Sequence, residues 1–233
     1  MRGRFDWAVL AVETHSHSEA SHDGRDSIDL LLEQARAVDL DALAITDHDV
    51  MDASLEAVDL AGDYGLIGIP GVEITSAAGH VIALGISERV PAGLSYGETL
   101  SRIRDQGGIA VIPHPFQASR SGIAPNVTRD ELAAADAIEV YNSRLITGRA
   151  NRKAEAFARS RGMPMVAGSD AHVSEMVGQA VTLIDADPTE GVSGILEAIR
   201  EGRTVVDGKR TPWHISFRQA AGGLRRRLVR RLL

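Results

Sequence analysis

Short apolar runs alternate with segments of helical periodicity along most of the chain. The segment SIDLLLEQARAVDL repeats apolar side chains at helical spacing after Ser27, a residue that can cap a helix. Apolar strands separated by such helices are typical of a parallel sheet that is buried on both faces. The alternation therefore favours an α/β fold with a closed or nearly closed barrel, and a doubly wound sheet is the second choice. We predict β-strands in nine apolar runs: WAVLAVETH, DALAITDHD, LIGIPGVEIT, HVIALGI, GIAVIPHP, AIEVYN, PMVAGSDAH, QAVTLID and TVVDG.

The polar residues of this pattern lie mainly where the predicted strands begin or end. In a parallel barrel the carboxyl ends of all strands open on one face, and that face carries the active site. His15 and His17 are two positions apart, so both side chains point the same way in an extended segment, and Asp170 and His172 repeat this spacing. Six of the eight histidines lie at strand boundaries: His15, His17, His48, His80, His114 and His172.

The ligand types in this set predict a metal site. Imidazole and carboxylate groups without sulfur suit Zn²⁺, Mn²⁺ or Fe²⁺, and enough of them are present for two or three divalent ions. Glu73, at the end of the third strand, is a natural bridge between two cations about 3.5–4 Å apart. His22 lies in the loop after the first strand, whereas His214 stands apart and is interpreted as structural.

Composition narrows the class of protein further. The chain has 233 residues and is 44% hydrophobic, which is enough to fill a core. It contains no cysteine, which excludes disulfides and thiolate metal sites. We identify no signal peptide, and no apolar run approaches the roughly 18 residues of a membrane span. We therefore expect a cytoplasmic protein.

Charge is distributed unevenly along the chain. Residues 218–233 hold six of the 25 basic residues and no acid, so residues 1–217 carry 19 bases against 32 acids, a net charge of −13. We predict one domain over residues 1–217 and a basic amphipathic tail over 218–233. The acidic body makes long nucleic acid an unfavourable partner. The tail suits packing on its own domain, self-association, contact with an anionic surface, or binding of nucleic acid, which would be an exception to that argument.

The order and spacing of the polar motifs resemble those of the PHP (polymerase and histidinol phosphatase) family, from about Glu13 to Val206. The resemblance implies a distorted (β/α)7 TIM-like barrel with a centre of two or three metals at the carboxyl ends of the strands. A short segment at about 190–213 is similar to the one that often follows this domain. Seven motifs carry the resemblance: THSHSEASHDG, LAITDHD, GVEIT, GHVIALG, VIPHPF, IEVYNSR and AGSDAH.

The resemblance also implies a ligand set. Many family members read Ser-Asp-Gly after the leading histidine pair, whereas this chain reads Ser21-His22-Asp23-Gly24. Alignment on Asp-Gly favours Asp23 as a ligand, and His22 is the alternative. The other implied ligands are His15, His17, His48, Glu73, His80, His114, Asp170 and His172.

Such a centre implies hydrolysis of a phosphomonoester by a metal-activated hydroxide, on a small or nucleotide-like substrate. Neither a cysteine nor a G-x-S-x-G motif signals a protein nucleophile. Asp47 and Asp170 are candidates to move a proton to the leaving group, or to serve as ligands or orienting groups. Arg120, Arg144 and Asn142 follow strands at the right end to bind the phosphate. These last three residues are our predicted substrate contacts.

Three other functions compete with this one. A non-catalytic, metal-stabilised interaction module would have lost ligands, which this chain retains. A nuclease-type enzyme of the same family would act 5′ to 3′ on short RNA or DNA. Amide hydrolysis in related barrels usually employs a carbamylated lysine as the bridge, and here that position is Glu73.

Overall fold

A single nine-stranded sheet organises the protein in the computed structural model, which describes residues 9–145 and 148–212. Its strand order is β7-β6-β5-β4-β3-β2-β1-β8-β9. All nine predicted strands are present, and the α/β fold with a nearly closed barrel is confirmed. The strands are β1 (Val9–Glu13), β2 (Ala42–Ile45), β3 (Ile67–Thr75), β4 (His80–Leu84), β5 (Ile109–Ile112), β6 (Ala137–Asn142), β7 (Met165–Gly168), β8 (Ala180–Asp185) and β9 (Thr204–Gly208).

The prediction of a parallel sheet is wrong at two strands, β4 and β8, which run opposite to the other seven. β4 is antiparallel to both β3 and β5, β8 is antiparallel to β1, and β9 is antiparallel to β8. The segment between β3 and β4 is a tight turn in which Ser76 N–H donates to the carbonyl of Gly79. So short a connection joins only antiparallel strands, because a parallel pair needs a long crossover. β4 consequently begins, rather than ends, at the face where β3 ends.

Side-chain hydrogen bonds close the barrel between β7, at one edge of the sheet, and strands β8 and β9 at the other. The Thr182 hydroxyl on β8 donates to the carbonyl of Ala167 on β7 and accepts from the Ala167 N–H, at 3.0 and 2.9 Å. The Thr204 hydroxyl on β9 donates to the carbonyl of Met165 at 2.7 Å. These side-chain contacts stand where a regular barrel would have backbone pairing with β7, so the barrel is distorted between β7 and the strands β8 and β9.

Within residues 9–145 and 148–212, six α-helices surround the sheet. Ser27 caps the first as predicted, with its hydroxyl accepting from the Leu30 N–H. The fourth is a single turn held by a capping box between Thr128 and Glu131, and it is too short to give a periodic signal. The helices are α1 (Ile28–Ala37), α2 (Asp52–Ala61), α3 (Tyr96–Asp105), α4 (Arg129–Leu132), α5 (Arg149–Arg161) and α6 (Gly191–Arg200).

The barrel interior is a packed apolar core. Side chains from strands β1 to β8 form one buried cluster, and Ile195 and Ile199 of α6 complete it. The Arg200 guanidinium donates to the carbonyls of Gly107 and Gly108, immediately before β5. α6 therefore covers the amino-terminal end of β5, and the opposite end of the barrel is left for the polar cluster. None of the described helices is both long and apolar enough to cross a membrane. The predicted basic tail and His214 lie outside the described residues.

Candidate metal centre

Backbone contacts between strand ends bring the predicted ligands together. The His17 N–H donates to the carbonyl of Ala171 at 2.7 Å, which ties the end of β1 to the loop after β7. His48, which follows β2, forms an isolated parallel β-bridge with Glu73 of β3. His114 and Asp170 adopt positive φ angles of 31° and 52°, a conformation that is uncommon for residues other than glycine. The chain turns sharply where these two side chains enter the site.

Glu73 is the centre of this arrangement. Its side chain is 1% exposed, and imidazole groups surround both carboxylate oxygens. Two histidines face Oε1 and three face Oε2, which is the geometry expected of a carboxylate that bridges two cations. The distances are 2.8 Å to His80 Nδ1 and 3.3 Å to His114 Nε2 from Oε1, and 3.4 Å to His15 Nε2, 3.3 Å to His17 Nε2 and 3.3 Å to His48 Nδ1 from Oε2.

Potential ligand atoms fall into four overlapping groups. Within each group the atoms lie within 4.8 Å of one another, close enough to share an ion. Nine of the ten predicted metal ligands belong to at least one group. The groups are His17, Asp23, His48 and His172; His15, His17 and Asp170; His15, Glu73 and His114; and His48, Glu73 and His80.

Asp23 and His22 occupy different positions. Asp23 Oδ2 lies 2.7 Å from His172 Nε2, and its Oδ1 lies 3.8 Å from His48 Nε2. The His22 side chain is 65% exposed, and its ring centroid lies 4.9 Å from that of His48. The structure therefore brings Asp23 into the cluster and leaves His22 at the mouth of the cavity.

The residues present fit divalent cations. His15 Nε2 and His17 Nε2 lie 3.2 Å apart, and His17 Nδ1 and His114 Nδ1 are buried without a hydrogen-bond partner in the described residues. Unsatisfied polar atoms of this kind are costly in a protein interior. The nitrogen and oxygen donor set, with no sulfur, suits Zn²⁺, Mn²⁺ or Fe²⁺.

Burial and charge act in opposite directions on the ionisable groups. Burial favours the neutral form of Glu73, but the imidazoles of His15 and His114 outweigh it and hold the pKa of Glu73 well below its ordinary value. Burial lowers the pKa of His48 to about 4. Burial also acts to lower the pKa of His15, yet Glu139, Glu73 and Asp170 raise it well above its ordinary value. In the metal-free protein these carboxylates therefore favour the protonated form of His15.

We expect metal binding to release protons from this centre. A metal ligand must be deprotonated, so an ion that binds His15 near pH 7 displaces the proton held by its raised pKa. Metal affinity should therefore rise with pH until the pH exceeds that pKa. The interactions of protonated His15 stabilise the metal-free fold below the ordinary histidine pKa, and this stabilisation disappears as pH rises through the raised value. Zn²⁺ calorimetry in two buffers of different ionisation enthalpy measures the release. An affinity independent of pH between about 6 and 8 would contradict it.

Asp47 lies beside the cluster but does not line the cavity. Its Oδ1 accepts from the Ser18 N–H at 2.7 Å and its Oδ2 from the Ser18 hydroxyl at 2.6 Å. The side chain is fully buried. Of the roles predicted for Asp47, this geometry favours orientation of the loop after β1 over proton transfer to a substrate.

The Asp47→Asn substitution tests that role. An amide offers one acceptor where Ser18 requires two, so we expect a loss of about 1–3 kcal/mol in the free energy of unfolding. The pH profile of hydrolysis should keep its shape, because no titrating catalytic group is removed. Urea unfolding and a pH series on the same preparation measure both quantities. Loss of the alkaline limb of the profile at unchanged stability would instead support proton transfer by Asp47.

The predicted phosphate-binding arginines converge on Asp170. Arg120 Nη1 lies 3.0 Å from Asp170 Oδ2, and Arg144 Nη1 lies 3.1 Å from Oδ1. Both arginines line a cavity of about 510 Å³ that also contains Glu73. Asn142, the third predicted substrate contact, is buried outside this lining and donates to Asp170 Oδ2 at 3.3 Å. Its position behind Asp170 favours orientation of that carboxylate over contact with a substrate.

Two buried carboxylates near the site were not predicted as functional. Glu139 Oε1 lies 2.9 Å from His15 Nδ1. Glu13 accepts from the backbone N–H groups of His15 and Ser169, and burial raises its pKa to about 7. The available signal was a charged residue inside or closing an apolar strand, as in AIEVYN and VLAVE.

The nearly closed barrel and its cluster of histidines and carboxylates define an α/β protein with a candidate centre for divalent metal ions. The chain belongs to the PHP domain family: its family model matches residues 13–147, and a model described as PHP-associated matches residues 148–204. The resemblance of the sequence motifs to this family is thus confirmed.

Individual relatives and a solved structure agree with this assignment. An uncharacterized protein of Methanocaldococcus jannaschii, MJ1587, is 29% identical over 144 residues, which are 58% of this chain and 82% of that protein. A phosphoribosyl 1,2-cyclic phosphate 1,2-diphosphodiesterase of Eggerthella lenta is 32% identical over 100 residues, 40% of this chain but only 38% of that protein. The crystal structure of a two-domain Bacteroides vulgatus protein containing a predicted PHP-like metal-dependent phosphoesterase has a TM-score of 0.74 at 22% identity. That match covers 87% of this chain and 66% of the other.

Proposed function

We propose that this protein is a metal-dependent phosphoesterase that hydrolyses a small phosphomonoester. The observation that carries the proposal is the position of Glu73 between five imidazoles, in the same cavity as Arg120 and Arg144. A carboxylate with this environment suits two cations, and the two guanidiniums suit the phosphoryl oxygens of an ester. The metal ligands and the groups that bind the phosphate would then line the same cavity.

Each part of the cluster has a role in this proposal. His15, His17, Asp23, His48, Glu73, His80, His114, Asp170 and His172 would hold two or three divalent ions, Mn²⁺, Zn²⁺ or Fe²⁺. When bound, such ions supply water of lowered pKa and neutralise charge on the phosphoryl group. Arg120 and Arg144 would orient the phosphoryl group. Asp170, whose pKa these arginines hold well below its ordinary value against the effect of burial, would stay ionised and remain a ligand.

The cavity supports a small polar substrate. Every described residue that lines it has a polar or charged side chain, and imidazoles are the only rings among them. The described lining offers none of the Phe, Tyr or Trp side chains on which a nucleobase often stacks, and it offers the hydrogen-bond partners that a hydroxylated phosphate ester needs. The net charge of −13 over residues 1–217 also opposes a long polyanion.

A phosphodiester is the second candidate substrate. The Eggerthella lenta relative is named as a phosphodiesterase that acts on a cyclic sugar phosphate, and its similarity supports testing this bond type. A non-catalytic metal-stabilised module has less support, because nine predicted ligands lie together and two arginines share their cavity.

Metal analysis combined with turnover tests the proposal. Elemental analysis of the purified protein should find about two or three divalent ions per chain. Hydrolysis of an aryl phosphate should increase with added Mn²⁺ and disappear in His15→Ala. An aryl phosphodiester and a short 5′-phosphorylated oligonucleotide, assayed in parallel, distinguish the alternative substrates. Bound metal without turnover of any ester would favour the interaction module, and absence of metal after reconstitution would refute the proposal.

A further inference from the structure

Glu139 is a buried carboxylate within an apolar strand. It lies in β6 between Ile138 and Val140, and its side chain is 1% exposed. An ionised carboxylate at such a position is costly unless hydrogen bonds compensate its loss of water. Its partners therefore indicate what the residue does.

Three donors from three strand ends converge on this carboxylate. Glu139 Oε1 lies 2.9 Å from His15 Nδ1, which follows β1. Its Oε2 accepts from the His114 backbone N–H, after β5, at 2.8 Å, and from Asn142 Nδ2, at the end of β6, at 3.0 Å. Asn142 Nδ2 also lies 3.3 Å from Asp170 Oδ2, after β7. A single side chain thus connects His15 and His114 directly, and Asp170 through Asn142.

Only an acceptor can occupy the position of Glu139. The His114 N–H and the Asn142 amide both present hydrogens to Oε2, and neither can accept in return. A hydrogen bond from His15 Nδ1–H to Oε1 completes the set and fixes the proton of a neutral His15 ring on Nδ1. His15 Nε2 then faces Glu73 Oε2, at 3.4 Å, with its lone pair available.

Gly168 provides the space for this contact. A Cβ atom added at Gly168 would lie 2.7 Å from Glu139 Oε1 and would also collide with the His15 side chain. The absence of a side chain on β7 therefore allows Glu139 and His15 to approach each other.

We propose that Glu139 is a positioning residue that sets the tautomer of His15 and aligns His15 and His114 for metal binding. This inference rests on the proposed function of the same site. It separates Glu139 from the ligands themselves: Glu139 belongs to none of the four ligand groups, and it does not line the cavity. Its effect on metal passes through the ring nitrogen of His15.

The Glu139→Gln substitution tests the proposal, because it keeps the shape and removes the acceptor-only character. If the amide oxygen faces His15, the NH₂ group opposes the His114 and Asn142 donors. If the amide is reversed, its NH₂ group requires His15 Nδ1 as an acceptor, which moves the proton to Nε2. Either orientation therefore loses part of the native contacts, the donors to Oε2 in the first and the Nδ1–H donor of His15 in the second. We expect Zn²⁺ affinity to fall about 10- to 100-fold, the usual effect of removing the hydrogen-bond partner of a ligand.

Two measurements on the full chain distinguish positioning from general stabilisation. Competition with a chromophoric chelator gives the Zn²⁺ affinity. ¹H–¹⁵N correlation spectra of the imidazoles in the metal-free protein, recorded at a pH above the raised pKa of His15, identify the protonated ring nitrogen of its neutral ring. Glu155→Gln, on the outer face of α5, is the matched control, because its carboxylate is 47% exposed. The control should keep the native affinity and the native spectrum.

The outcomes separate this inference from the proposed function. Native Zn²⁺ affinity and a proton on His15 Nδ1 in Glu139→Gln would overturn the inference while leaving the metal centre intact. Wild-type protein that binds no metal would refute the proposed function instead. If Glu139→Gln does not fold, Glu139→Asp keeps an acceptor-only group with a shorter reach. That variant should keep the proton on Nδ1 and bind Zn²⁺ more weakly than wild type, and undiminished affinity in it would overturn the inference.

Discussion

Substitution of Glu73 by Gln is expected to remove at least one bound metal ion per chain and nearly all hydrolysis. Two of the four ligand groups contain Glu73, whereas the other two do not include it. An amide retains one acceptor and cannot offer a negative charge to two cations. If this costs about 4 kcal/mol of transition-state stabilisation, kcat/KM falls about 10³-fold. Elemental analysis and aryl phosphate turnover, on the same sample, measure the two effects.

The stability of the metal-free variant provides an independent check. The depressed pKa of Glu73 means that its carboxylate stabilises the fold above the ordinary glutamate pKa, and that this contribution is lost as pH falls through the depressed value. Metal-free Glu73→Gln should therefore be less stable than wild type near pH 7, with a smaller difference in strong acid. Glu155→Gln serves as the control for loss of a carboxylate. If Glu73→Gln kept both the native metal content and the native turnover, this result would contradict the bridging role of Glu73.

The sequence contained enough information to locate the cluster, because strand ends are marked by a change from apolar to polar residues. His15 and His17, or Asp170 and His172, are recognisable from a spacing of two after a buried strand. This pattern identifies site residues even where the direction of a strand is predicted wrongly. His80 illustrates this, since it begins an antiparallel strand and still reaches the cluster beside Glu73.

Strand direction and indirect roles were not predictable in the same way. The composition of a strand is the same in either direction, so the reversal of β4 and β8 left no compositional signal. Glu139 contacts His15 across 124 positions of the chain, and only the folded barrel reveals that pairing. The choice between His22 and Asp23 similarly depended on which side chain the loop turns inward. The sequence motif did not distinguish Asp47 from a metal ligand, and only the fold shows that both of its carboxylate oxygens accept hydrogen bonds from Ser18.

The arginine pair gives the second large expected effect. In Arg120→Gln and Arg144→Gln, each substitution removes a charged donor that the proposal assigns to the phosphoryl group. A hydrogen bond to a charged group contributes about 1.5–3 kcal/mol, so kcat/KM should fall about 10- to 100-fold for each variant and further for the double variant. Steady-state kinetics and competitive inhibition by inorganic phosphate measure the loss, and Arg102→Gln, on α3, is the control because Arg102 is 58% exposed.

Metal content decides how that loss is interpreted. Both guanidiniums lower the pKa of Asp170, and the effect of Arg144 is the larger, so their removal raises that pKa and moves protonation of Asp170 to higher pH. His15 and His172 also lower the pKa of Asp170 and are kept in these variants, so we expect the carboxylate to remain ionised at neutral pH. The variants should then keep their metal while inorganic phosphate inhibits them more weakly. A parallel fall in metal content at neutral pH would mean that the arginines act by holding Asp170 in place. Recognition of the phosphoryl group would then have to come from the metal ions. The two arginines would no longer favour a phosphate ester over other hydrolysable substrates.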